Sequence, residues 1–155
     1  MKKPLIVLTV LWFAINPASA RADAHRDVER AFNRFIAAFN NLDWEQFRSA
    51  FADEVTVFNP DIPEAPSVDR LDGRQQVEQG FKSVFEASRK NAAGPPYLHI
   101  VPKEVRIQLL GDAAVVSFEF DREGNSLGRR TIIFHRQGRA WKIVHIHASN
   151  VTRRN

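Results

Sequence analysis

From Asp23 to Asn41, apolar residues recur at Val28, Ala31, Phe32, Phe35, Ile36 and Phe39, the i, i+3, i+4, i+7 spacing that predicts an amphipathic helix. Asn41-Leu42-Asp43 interrupts the pattern, and the Asp43 carboxylate is placed to cap a second helix, Trp44 to Phe51, by accepting from its first free backbone N–H groups. Val55-Thr56-Val57-Phe58 then reads as a short β-branched strand ending at Asn59-Pro60. Between Pro60 and Leu71, Pro60, Pro63 and Pro66 alternate with Asp61, Glu64 and Asp69; this excludes a regular element and predicts a mobile lip. Asp72-Gly73 turns the chain into a third helix, Arg74 to about Asn91, with Val77, Phe81, Val84 and Phe85 on one stripe and Gly94-Pro95-Pro96 as its stop. Four strands follow, Tyr97 to Leu110, Ala113 to Asp121, Arg129 to Arg136 and Ala140 to Thr152. Gly111-Asp112, Arg122 to Gly128 and Gln137-Gly138-Arg139 separate them as hairpin connections. Three helices followed by a run of antiparallel strands predict an α+β fold with the helices laid across one face of a curved sheet.

The last strand carries the most suggestive chemistry. Strict alternation sets Trp141, Ile143, His145, His147 and Ser149 on one face and Lys142, Val144, Ile146 and Ala148 on the other. A face that starts with indole and isoleucine and ends with two imidazoles and a hydroxyl predicts a sheet surface passing from packed core into a pocket, because paired polar groups on a buried face need partners.

Lys2 and Lys3, the apolar run Leu5 to Ile15 and the A-x-A site Ala18-Ser19-Ala20 read as a secretory signal peptide, residues 1–20, leaving a single domain from Arg21 to Asn155. The expectation is a soluble periplasmic or secreted product, with no membrane association after cleavage. Lys2 and Lys3 are the leader's only charged residues, so cleavage would take the formal net charge from +4 to +2. So mild a balance, with Arg and Lys scattered, argues against a nucleic-acid partner. There is no cysteine, so stability rests on a conventional core.

The order of elements, the Leu42-Asp43 break, Phe58-Asn59-Pro60, Asp72-Gly73-Arg74, Leu110-Gly-Asp-Ala-Ala-Val115, Arg129-x-Thr131 and the closing Trp141-Lys-Ile-Val-His-Ile-His-Ala-Ser149 resemble the SnoaL-like branch of the nuclear transport factor 2-like superfamily. The closing strand also resembles that of the calcium/calmodulin-dependent protein kinase II association domain. The resemblance covers nearly the whole mature chain. It implies a cone-shaped α+β fold with a deep pocket between sheet and helices, commonly dimeric or higher through the outer sheet face. It implies no single activity, since the fold hosts isomerases, dehydratases, epoxide hydrolases, ligand binders and assembly domains.

The candidate site is therefore weighed residue by residue. His145 and His147, with Cα atoms about 6.5 Å apart on one strand face, have the spacing to chelate one metal, but no third ligand is selected, and the reading is no metal and no cofactor. His147 is open between an imidazole locked to a backbone carbonyl or a helix-one carboxylate and a pocket-lining contact. Arg129, in the Arg-x-Thr that resembles the family's pocket-facing pattern, is the candidate partner for a ligand carboxylate, with Arg130 on the opposite face and a swap of the two left open. Ser149, Tyr97 near the cone mouth, and Phe58 and Trp44 as apolar wall complete the ligand-binding set; Phe118, Phe120, Phe134 and Trp141 are further wall candidates. The buried carboxylate base and the oxyanion pair of Tyr and protonated acid that a ketosteroid isomerase needs are not picked out. Acid–base chemistry by His147 with Arg129 is permitted without being required. The reading is a binding domain for a small, partly apolar, anionic ligand. A small hydrolase, isomerase or dehydratase with a His-Arg pocket and a non-catalytic oligomerisation module are the alternatives. Apolar residues on both parities of the late strands (Val115 with Val116, Ile132 with Ile133, Ile143 with Val144) predict a homodimer.

Overall fold

The computed structural model describes residues 17–60 and 70–152. Most of the expected leader and nearly all of the expected lip lie outside the described residues. Helix α1 runs Pro17–Asn40, α2 Trp44–Ser49 and α3 Gly73–Asn91; the strands are β1 Phe51–Phe58, β2 Leu71–Asp72, β3 Lys103–Leu110, β4 Ala113–Arg122, β5 Ser126–Gln137 and β6 Ala140–Thr152. The strands form one sheet in the order β2-β1-β6-β5-β4-β3. Its pairs are antiparallel except β1 with β6, so the expected α+β architecture, helices against a mostly antiparallel sheet, is the one observed.

Local chemistry explains most boundaries. Asp43 caps α2 as expected, accepting from the Gln46 backbone N at 3.1 Å. Asp72 makes no side-chain cap on α3; instead the Gln76 side chain reaches back and accepts from the Asp72 N–H at 3.1 Å. The β3–β4 and β5–β6 hairpins turn on Gly111 (φ 65°) and Gly138 (φ 63°), in the left-handed region that favours glycine.

Several boundaries differ from the reading above: β5 already begins at Ser126, inside the expected Arg122 to Gly128 connection, because Ser126 to Gly128 pair with Phe120 to Arg122, and Leu71–Asp72 forms a short strand against β1. The second helix stops at Ser49, and Phe51 already opens β1, because Phe51 pairs with Ile143 and the Ile143 N–H donates to the Ala50 carbonyl at 2.8 Å. Tyr97 to Pro102 is not strand: Asn40 takes over its backbone, accepting from the N–H groups of Tyr97, Leu98 and Ile100 and donating from Nδ2 to the Ile100 carbonyl. Helix α1 begins at Pro17 rather than near Asp23, so Ala18-Ser19-Ala20 falls in its first turn.

The core lies between the helices and one face of the sheet. Phe47 is fully buried and meets Phe35, Phe39, Phe51, Phe81 and Phe85 at centroid distances of 4.9–5.2 Å. Across from it, Phe32 of α1 meets Phe118 of β4 edge-on at 5.1 Å. Ala114, Val116, Phe118 and Phe120 of β4 and Ile132 and Phe134 of β5 are all buried in this layer. Even-numbered residues of β4 and β5 therefore face the helices, and we call this the inner face.

Candidate functional site

Strand β6 does not keep one parity. Ile133 is opposite His145 while Phe134 is opposite Ile143, so Val144 is an extra residue, a β-bulge in the middle of the strand. Before it, Trp141 and Ile143 are buried against the helices; after it, Ile146 and Ala148 are. The bulge thus corrects the expected alternation, turning His145, His147 and Ser149 away from Trp141 and Ile143 onto the outer face of the sheet.

Arg129 follows them. It is opposite Glu119 and Ser149, with its Nε 3.5 Å from the Glu119 carboxylate, on the outer, odd-numbered face of β5. Phe58 pairs with His147 and lies within 6 Å of both imidazoles, at 5.7 Å from His145 and 5.9 Å from His147. Thr56 Oγ1 hydrogen-bonds to His145 Nδ1 at 2.7 Å. Burial, then the neighbouring His147, pushes the His145 imidazole below its ordinary range. The structure therefore brings Arg129, His145, His147, Ser149 and Phe58 together on the outer face. Trp44 sits apart among Phe47 and Phe85, with Lys82 over its ring at 5.5 Å, and Tyr97 packs under Arg89 at 5.8 Å.

The inner face carries a group that sequence reasoning left as the other half of a swap. Arg130 projects toward the helices, its guanidinium 4.8 Å from the Phe120 ring centroid. Its Nη1 donates to the carbonyls of Arg129 at 2.8 Å and Ser149 at 2.9 Å. Burial, then the charge of Arg122, holds this guanidinium down at about 10, far below an ordinary arginine. Among the described residues no carboxylate pairs with it. On the same face, Asn150 pairs with Gly128 across β5 and β6, and its Oδ1 is buried without a hydrogen-bond partner among the described residues. The parity reset at Val144, which no residue pattern signals, puts Asn150 on this face, whereas Arg130 is there by the unbroken alternation of β5 with buried Ile132 and Phe134. Along the flank of α1 runs a separate cleft of about 300 Å³ lined by His25, Glu29, Phe32, Asn33, Pro102, Val105 and Ile107.

This arrangement, a helix layer over one face of a six-stranded sheet with β1 parallel to the last strand, agrees with the sequence comparisons. The model of the SnoaL-like domain matches residues 28–153, and the chain belongs to that family. Among solved structures, a protein assigned as a dehydratase of the nuclear transport factor 2-like family from Streptomyces avermitilis is similar, with TM-score 0.68, 22% identity, and 86% of this chain and 99% of that one covered. A protein from Thiobacillus denitrificans assigned as a calcium/calmodulin-dependent protein kinase type II association domain matches with TM-score 0.61 and 23% identity, covering 80% of this chain and 94% of that one. One from Parabacteroides distasonis assigned as a ketosteroid isomerase matches with TM-score 0.58 and 20% identity, covering 77% and 84%. These likenesses establish the nuclear transport factor 2-like fold. No curated protein matches the sequence. No helix among the described residues is long and apolar enough to cross a membrane.

Proposed function

We propose that this SnoaL-like domain is an exported small-molecule-binding protein whose inner face takes a partly apolar, anionic ligand, with Arg130 as the anion's partner. The carrying observation is a desolvated guanidinium on the inner face that no carboxylate among the described residues neutralises. A buried charge without a counter-ion is costly, and an incoming carboxylate on a guanidinium fork relieves that cost. Phe32, Phe118 and Phe120 supply the apolar surroundings. The basic n-region, apolar run and A-x-A site support export to the periplasm or medium.

Binding is favoured over acid–base catalysis because no carboxylate is buried among the described residues, and the two imidazoles of β6 lie on the face opposite Arg130. The outer face supports a homodimer: Val115, Ile133 and Thr131 lie there half-covered, between the Glu119–Arg129 ion pair at one end and exposed Leu110 at the other.

A thermal-shift screen of small carboxylates tests the reading. Hits on wild type should vanish in Arg130→Ala and persist in Arg129→Ala; hits retained by Arg130→Ala would overturn the assignment.

A further inference from the structure

We propose, building on the anion reading above, that the ligand is an acid that also carries a hydrogen-bond donor, its carboxylate on Arg130 and its hydroxyl or N–H on Asn150 Oδ1.

The geometry begins with Gly128. It stands directly opposite Phe120, and a Cβ at this position would lie 2.5 Å from the Phe120 ring. The far end of the ring therefore presses on bare backbone, an approach only glycine permits. The same ring is the bed for the Arg130 guanidinium at 4.8 Å. With Nη1 tied to the Arg129 and Ser149 carbonyls, the group cannot swing, and Nε and Nη2 are left without a partner among the described residues. These two nitrogens form the side of the fork that accepts a carboxylate bidentately. Arg122, whose charge acts on Arg130, keeps the neighbourhood positive.

Asn150 supplies the second half of the recognition. Gly128 opposite it has no side chain to offer, and the buried Oδ1 has no donor among the described residues. An amide oxygen only accepts, so a carboxylate alone would set acceptor against acceptor there. A ligand hydroxyl or N–H removes the mismatch, and a site whose polar group is left unpaired discriminates strongly against the analogue that lacks the donor. Gly128 acts as a positioning residue, since it reaches the ligand only through Phe120 and Arg130.

Matched acids separate this inference from the reading it rests on. Titration calorimetry would compare mandelate with phenylacetate and 3-phenyllactate with 3-phenylpropionate. On wild type the hydroxy acid of each pair should bind about ten-fold tighter. In Asn150→Ala, or in Asn150→Ser if the first variant folds poorly, that preference should shrink to less than about three-fold while the plain acids keep their affinity. Arg130→Lys, which keeps the charge but not the fork, should weaken both members of each pair together. Equal binding of both members to wild type, or a preference that survives in the Asn150 variants, overturns the donor inference and leaves Arg130 as anion partner. No binding of any of the four acids to wild type overturns both.

Discussion

The two faces of this sheet are built from the same strands and nearly the same residue types, yet they have opposite fates. On β5, Ile132 and Phe134 are buried under the helices, while Thr131 and Ile133, alternating with them, stay half-covered on the outside. Two arginines side by side show the same split. Arg129 keeps an exposed partner in Glu119 and an unremarkable environment, whereas Arg130, one residue on, loses water and gains only an aromatic ring and two carbonyls. What separates them is what lies across from each face, not what each residue is. A helix layer turns chemically ordinary side chains into a core and strips a guanidinium of much of its water.

The hardest way to break that distinction is to insert one alanine between Ile146 and His147. The extra residue would shift the end of β6 by one position against β5, driving His147 and Ser149 inward and Ala148 and Asn150 out, whereas deleting Val144, the residue the bulge already leaves unpaired, would keep both faces as they are. The expected outcome of the insertion is loss of a cooperative thermal transition, measured by circular dichroism; an insertion variant that melts like wild type would mean that register against β5 does not set the faces. Next in size, Phe134→Ala should cost about 3–5 kcal/mol in denaturant unfolding, since its ring is fully buried. Ile133→Thr, its neighbour on the outer face, should cost under about 1 kcal/mol in the monomer and instead lower the mass seen by light scattering. A monomeric wild type at micromolar concentration would remove the dimer from the comparison.

Gly128→Ala should destabilise by about 1–3 kcal/mol because the new methyl collides with the Phe120 ring, and Phe120→Leu should recover part of that loss in the double variant. The smallest effect is expected at His145. Its folded-state imidazole titrates below the ordinary value, so the folded chain binds fewer protons than the unfolded one in that range. Stability is then fully present above about pH 6.5 and declines as pH falls through the lowered folded value. His145→Gln should flatten the drop in Tm between about pH 6.5 and 5; an unchanged slope would assign the acid sensitivity to other groups.

The amphipathic stripe of α1, the Asp43 cap, the third-helix stripe and the glycine hairpins were all legible along the chain, because each rests on neighbours within a few residues. So was the family, carried by the order of those elements. Tertiary structure alone decided the rest. Phe51 opens a strand rather than closing a helix because Ile143, far along the chain, offers it a parallel partner, and Tyr97 stays out of β3 because Asn40 binds its backbone. The faces of β6 were beyond sequence for the same reason. Alternation is a local rule, and on β5 it holds, setting Arg130 with Ile132 and Phe134 and Arg129 on the other side; a bulge is set by register against the neighbouring strand, and the single extra residue of β6 is enough to hand the inner face to Asn150 and the outer one to the histidines.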